Sequence, residues 1–206
     1  MSQFFYVHPD NPQGRLMKQA TAMIHDGAVI VYPTDSGYAI GCHIGDKKAL
    51  DRICQIRSIS KDHNFTLVCK DLSQVSEYAR VENSIFRQIK NNTPGAYTFV
   101  FKGSKEVPKR LLNPKRKTIG IRIPDNAIAQ ALLEELGEPL MSTTLIMPGE
   151  DMAEFDPEHI RDILEKRVDL IINGGYLGER PTTVIDFSEG DGIILRVGEG
   201  DPEPFE

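Results

Sequence analysis

Several residues of this chain pair a hydroxyl or a fixed positive charge with a place at the end of an expected strand or helix. They are Thr34, Ser36, Arg57, Lys61, Thr98, Arg122, Ser142, Thr144, Thr182, Thr183 and Arg196. Hydroxyls together with arginine and lysine can hold phosphate or carboxylate without a glycine-rich phosphate loop. The same residue types serve equally well as separate caps and strand-edge groups, and both readings stay open at this point. The most concentrated cluster is Pro33-Thr34-Asp35-Ser36-Gly37. It follows an apolar run, 28–31, that reads as a buried strand. Pro33 is expected to end that strand, since proline cannot donate to a sheet ladder. Small polar groups then stand at the strand's carboxyl end, where open α/β sheets bind ligands. A plain polar turn between two strands is the other reading.

Other chemistries find no support. There is no GxxxxGK[ST] and no GxGxxG, and Gly174-Gly175 alone reads as a turn. No HExxH occurs and the five histidines are scattered, so no metal site is expected. No GxSxG elbow supports a serine hydrolase. The three cysteines form no CxxC pair, which argues against a disulfide framework or a zinc site and for a reducing, cytoplasmic setting. Cys42 and Cys69 fall in strand patterns and are expected in the core. No apolar run approaches 18 residues, so no membrane partner is expected. The first residues lack a basic region and a long enough apolar run for a signal peptide.

Elements must position the hydroxyls and cations. A helix is expected from Asn11-Pro12, with Leu16, Ala20, Met23 and Ile24 on one face and Gly27 closing it. Asp46 caps a second, with Leu50, Ile53 and Cys54 inward, that runs out near Arg57. Strands are expected at 41–44, 65–69, 97–101, 118–123, 140–145, 168–172, 182–187 and 193–197. Further helices are expected near 73–79 and 83–90, at 127–136 capped by Asp125, and from Asp156-Pro157. This interleaving makes the class α/β, a single domain with a frayed acidic tail from Glu199.

The formal charge of the 206 residues is −6, unevenly spread. Residues 1–123 hold 19 Lys and Arg against 10 Asp and Glu, whereas residues 124–206 hold 5 against 20. Between Lys102 and Arg122 only Glu106 opposes Lys102, Lys105, Lys109, Arg110, Lys115, Arg116, Lys117 and Arg122. Such a basic face suits a polyanion, and a solvated loop is its bland alternative.

The order of these segments resembles the YrdC-like family, which includes the threonylcarbamoyl-AMP synthases, and within it the YciO branch. Pro33 to Gly41 matches the family's PTDTVYGLG, Pro94-Gly95-Ala96-Tyr97-Thr98 its PGPxT, and Gly120 to Asp125 its (I/V)RxPD strand end. Pro181 to Asp186 matches PSTVVD and Leu195-Arg196-Val197-Gly198 the closing LRxG. The resemblance spans residues 14–198.

It implies a twisted mixed open sheet with packed helices and a basic concave surface that binds double-stranded RNA or tRNA and ATP. In the synthases, L-threonine, bicarbonate and ATP give threonylcarbamoyl-AMP and pyrophosphate with Mg²⁺, for tRNA modification. On that basis Arg57, Ser142 and Thr144 would be catalytic, while Thr34, Lys61, Thr98, Arg122, Thr182, Thr183 and Arg196 would hold nucleotide. Lys109, Arg110, Lys115, Arg116 and Lys117 would hold RNA. No tightly bound cofactor is expected.

This sequence departs from the synthase pattern in two motifs. The synthases' Lys-x-Arg reads Arg57-Ser58-Ile59 here, and their Ser-x-Asn reads Ser142-Thr143-Thr144. Fixed donors around a reacting phosphate are often worth ~3 kcal/mol each, and isoleucine supplies none. Arginine for lysine is not a neutral exchange either. The expectation is an adenylate-handling enzyme that is weak or redirected, or else a non-catalytic RNA-binding module.

Overall fold

The apolar run before Thr34 folds as β2 (Ile30–Thr34), and a tight turn returns it at once as β3 (Gly37–His43), with every residue of β2 buried. The structure, a computed structural model, describes residues 1–60 and 62–206. The remaining strands are β1 (Gln3–Tyr6), β4 (Thr66–Val68), β5 (Tyr97–Lys102), β6 (Thr118–Arg122), β7 (Leu140–Thr144), β8 (Leu170–Asn173), β9 (Thr183–Asp186) and β10 (Ile193–Arg196). The helices are α1 (Gly14–His25), α2 (Lys47–Arg57), α3 (Leu72–Tyr78), α4 (Asn83–Asn92), α5 (Ala127–Leu136) and α6 (Pro157–Leu164), with short 3₁₀ turns at Lys109–Leu111 and Glu203–Phe205. Among the described residues, all ten strands join one sheet in the order β1-β8-β2-β3-β7-β4-β6-β5-β9-β10. Parallel and antiparallel ladders both occur, so the fold is the twisted mixed α/β sheet anticipated from the sequence.

Period-2 alternation splits the strands between two cores. On one face Val29, Val31, Ile40, Leu67, Phe99, Ile121, Met141 and Ile185 join a cluster that runs the width of the sheet and takes in Leu50 and Ile53 of α2, Ile89 of α4 and Ile160 of α6. On the other, Ile30, Tyr32, Ala39, Leu140, Leu170 and Ile172 pack under α1 and α5 through Met17, Ala20, Ile24, Ile128, Leu132 and Leu133. Strands β5, β6 and β9 give that second cluster nothing. This face is covered over one half of the sheet and bare over the other.

Four expectations are corrected. Pro33 does not end β2 but pairs with Tyr38 inside it. The β8 ladder reaches only Ile30 and Val31, so farther along β2 one edge has no strand to receive an N–H. Helix α1 starts at Gly14, not at Asn11-Pro12, and its N-cap Gln13 makes no side-chain cap; the Gln13 side chain instead accepts the His8 amide. Asn126, not Asp125, caps α5 by accepting the Ala129 amide. The acidic tail is not frayed: Phe205 is 5% exposed, against Tyr97, Phe99 and Phe187, and Tyr97 donates its hydroxyl to the Asp201 carbonyl. One strand, β1, carries no signal that the sequence reading used, and it pairs in parallel with β8 at the sheet edge.

Candidate functional site

The bare half of the sheet face is polar by sequence. Even-numbered positions on β4, β5, β6 and β7, with Thr182 just before β9, place Thr66, Thr98, Thr118, Arg122, Ser142, Thr144 and Thr182 around a cavity of about 300 Å³. Gly120 keeps the floor low: a Cβ there would come 2.8 Å from Thr66 Oγ1 and 3.3 Å from Thr98 Cγ2. The hydroxyls are linked. Thr98 and Thr182 share a hydrogen bond of 2.7 Å, and Arg196 donates to the Thr182 carbonyl at 3.0 Å and to its hydroxyl at 3.2 Å. Ser142 Oγ accepts the Tyr32 hydroxyl at 2.8 Å and donates to the Ile40 carbonyl at 3.3 Å. Burial pushes the Tyr32 phenol up to about 12, so it stays a donor.

Charge is one-sided here. Arg57, Arg116, Arg122 and Arg196 line the cavity, and none of its described lining residues is a carboxylate. Two of these cations are balanced from outside the lining. Arg122 donates to Asp35 Oδ1 at 2.6 Å, both side chains being nearly buried, while Asp35 Oδ2 accepts the Asp125 amide. Arg116 donates to Asp186 and Ser188. Burial alone would raise the Asp186 carboxyl, but the Ser188 and Arg116 hydrogen bonds hold it below its usual range. Arg57 and Arg196 form no ion pair among the described residues. Burial weighs against the charge of both, and Arg122 adds repulsion at Arg196. Arg122 Nε is buried without any acceptor, a state that costs ~1–3 kcal/mol or more until an acceptor arrives.

At the rim, β7 runs on past the start of β4, whose first residue Thr66 pairs with Ser142. Arg57, the last residue of α2, donates there to the Ile146 carbonyl at 3.0 Å and to Thr143 Oγ1 at 2.7 Å. His63 Nε2 lies 3.1 Å from the same hydroxyl. Burial, reinforced by Arg57, lowers the His63 pKa below its ordinary value.

The fold therefore gathers Arg57, Thr98, Arg122, Ser142, Thr144, Thr182 and Arg196 in one cavity. Thr34 does not line it: its hydroxyl donates to the Gly37 carbonyl and accepts the Ser36 amide, bracing the turn. Thr183 points the other way and bonds the Gly200 carbonyl and the Gly198 amide. Lys61 lies outside the described residues. Ile59 packs against the hydrophobic core, not into the cavity. Of the residues assigned to RNA, Lys109, Lys115 and Lys117 are exposed without ion pairs among the described residues. Arg110 reaches the Gly45 carbonyl, and Arg116 belongs to the cavity wall. Sequence reasoning gave no site role to His63, Thr66, Thr118 or Thr143, and assigned Arg116 to RNA instead of the cavity wall. His63 was a histidine in a polar loop, and Thr143 was noted only as a strand residue between Ser142 and Thr144.

Away from the cavity, His25, His43 and Glu138 bring their ligand atoms within 4.8 Å of one another, a grouping that no sequence spacing showed. The Gly45 amide donates to His43 Nδ1, and His43 Nε2 lies 2.5 Å from Glu138 Oε1, an oxygen that accepts no hydrogen bond. Hard divalent cations favour carboxylate and phosphate oxygens. Among its described lining residues the cavity offers no carboxylate. No helix among the described residues is long and apolar enough to cross a membrane.

The chain has relatives among known proteins. Residues 22–198 match the Sua5_yciO_yrdC family, described as telomere recombination. The chain is 62% identical over 205 residues to the uncharacterized protein YciO of Escherichia coli K12, covering 100% of both. The crystal structure of E. coli YciO superposes with a TM-score of 0.96 over 100% of each chain. A threonylcarbamoyl-AMP synthase of Vibrio vulnificus is 27% identical over 167 residues, 80% of this chain and 88% of that one. P. abyssi Sua5 complexed with L-threonine shares the fold at 23% identity, with a TM-score of 0.87 over 96% of this chain and 58% of the other. Fold and sequence agree across nearly the whole length, and the chain belongs to the Sua5/YciO/YrdC family.

Proposed function

We propose that the bare half of the sheet binds ATP together with a small carboxylate of the amino-acid type. It there forms or consumes an acyl-adenylate related to threonylcarbamoyl-AMP, slowly or with an acyl group other than threonylcarbamate. The observation that carries this reading is Arg122: a buried guanidinium whose Nε lacks an acceptor, in a cavity whose described lining residues include four arginines and no carboxylate. An anionic ligand would give Arg122 Nε an acceptor and set a negative charge beside Arg57 and Arg196, which form no ion pair among the described residues. Thr98, Thr182 and Arg196 form a linked set of donors beside it. The relation to the Vibrio vulnificus synthase and the L-threonine held by P. abyssi Sua5 supply the substrate class. Reduced or redirected activity follows from Ile59, turned into the core where the synthase motif has a cation, and from Thr144, which lacks an amide.

Titration with ATP, with and without L-threonine, bicarbonate and Mg²⁺, tests this when heat and pyrophosphate are followed together. ATP binding with pyrophosphate release slower than that of an authentic synthase is expected. Equal rates would remove the argument from Ile59 and Thr144, and no ATP binding would remove the reading itself.

A second reading rests on a different observation. Lys109, Lys115 and Lys117 are exposed, with no ion pair among the described residues, around the 3₁₀ turn and the loop before β6. They suit the phosphates of a double-stranded RNA or tRNA recognised by shape. Binding that weakens steeply with salt, and weakens further when these lysines become alanine, is the expected result.

A further inference from the structure

An amino-acid ammonium that is to act as a nucleophile in the cavity must first lose a proton, and the lining residues restrict where that proton can go. Among the described residues, the wall holds arginines, threonines, one serine, one asparagine, aliphatic and aromatic carbons, and His63. It has no Asp, Glu, Cys or Tyr. His63 is thus the one described lining group that can take up a proton near neutral pH.

Its surroundings fix its role further. An arginine only donates, so the 2.7 Å bond from Arg57 Nη1 occupies one lone pair of Thr143 Oγ1. The hydroxyl keeps its own proton and a second lone pair. It can give that proton to His63 Nε2, 3.1 Å away, while the second lone pair receives one from a bound molecule. Phe65 stands edge-on to the imidazole with ring centroids 5.5 Å apart and fixes its plane. The cation in contact with this pair is Arg57; the other cavity cations are Arg116, Arg122 and Arg196, and Asp62 beside His63 is exposed.

We infer that Thr143 and His63 form the proton-accepting pair of this cavity, serving the ammonium group of an amino-acid substrate whose carboxylate is held by the arginines. This rests on the proposed adenylate chemistry. The step is a proton transfer: the substrate's N–H bond breaks, its electron pair stays on nitrogen, Thr143 Oγ1 takes that proton, and its own proton moves to His63 Nε2. A neutral imidazole is needed at the outset, and burial beside Arg57 keeps it so.

The test measures pyrophosphate release with ATP, L-threonine and bicarbonate from pH 5 to 8, for wild type, His63→Gln, His63→Asn, Thr143→Val and Thr143→Ser. ATP affinity is measured alongside by calorimetry. The quantity read is the ratio of wild-type to variant rate, in which the titration of bicarbonate itself cancels. Above neutrality the ratio for both His63 variants should be on the order of 10² or more. It should fall toward one as pH drops below the ordinary imidazole range. Thr143→Val should behave like the His63 variants, Thr143→Ser should stay within a few-fold of wild type, and ATP affinity should hold within about threefold throughout.

A ratio that does not change with pH, or His63 variants as fast as wild type, overturns the inference. So does a wild type that binds ATP and L-threonine yet releases no pyrophosphate. Failure of wild type to bind ATP is a different result, which removes the underlying reading of the cavity. His63→Asn retains a polar side chain and keeps the test open if His63→Gln does not fold.

Discussion

One face of one sheet is used in two opposite ways. Over β8, β2 and β3 its inward positions are Leu170, Ile172, Ile30, Tyr32 and Ala39, sealed under α1 and α5. Over β6 and β5 the same alternation presents Thr118, Gly120, Arg122 and Thr98, with no helix of that core above them. The strand geometry is shared; what changes is the chemistry of every second residue. Where those residues are apolar, about 25 cal/mol for each Å² withdrawn from water makes a covering helix favourable. Where they are hydroxyls and guanidinium groups, covering them would strand polar atoms. The bare half thus keeps its polar groups accessible, and the covered half buries its apolar ones.

Breaking the Asp35–Arg122 pair, which lies where the two halves meet, should have the largest effect. Asp35→Ala leaves the 6%-exposed Arg122 uncompensated and should cost ~3–5 kcal/mol in chemical unfolding. A loss under 1 kcal/mol would show that the pair is well solvated. Leu132→Ala, a fully buried α5 residue over the covered half, should cost ~2–5 kcal/mol. ATP affinity of the folded protein should stay unchanged, and a parallel loss of affinity would erase the distinction between the halves. Thr98→Val makes the converse test on the bare half. Stability should move by no more than ~1 kcal/mol, while ATP affinity falls several-fold by calorimetry.

Smaller effects sharpen the picture. Replacing Lys109, Lys115 and Lys117 with alanine should leave thermal stability nearly intact. It should reduce the salt dependence of RNA binding by about 0.9 in log–log slope per lost phosphate contact. The least effect concerns pH. Unfolded His63 takes a proton near 6.5, whereas folded His63 resists it until lower pH. Its contribution to stability is therefore full above 6.5 and declines as pH falls toward the folded value. His63→Gln should flatten that part of a melting-temperature profile.

Local signals were read correctly where they depend on neighbours in sequence. Asp46 caps α2 by accepting the Ala49 amide, Gly137 closes α5 at φ +73, and Asp156 caps α6. The strict alternation of β5 survives in its burial. Errors arose where a distant partner decided. Asp125 has the right chemistry for a cap, but its amide is taken by Asp35, 90 residues earlier, and Asn126 caps instead. The acidic composition of the tail hid Phe205, whose anchoring rings lie on β5 and just after β9. Thr34 and Thr183 lie in recognisable motifs yet outside the cavity, whereas Thr98, Arg122, Ser142, Thr144, Thr182 and Arg196 inside such motifs were found. His63 and Thr143 were not, because neither has meaning until α2 ends beside the rim of β7.

By itself the sequence determined the class, the period of each strand, most caps, and the pool of hydroxyls and cations from which a site could be built. These are consequences of local geometry, in which one residue's neighbours are three or four positions away or on alternate sides of a strand. Tertiary structure decided which of that pool share a cavity. Thr182 and Thr183 differ by one position and so face opposite sides of the sheet, one toward the cavity and one toward the Gly198–Gly200 backbone. It also decided which cations are balanced from behind and which are left for a ligand. The fold brings Arg122 to Asp35 and Arg116 to Asp186, while Arg57 and Arg196 meet no carboxylate among the described residues.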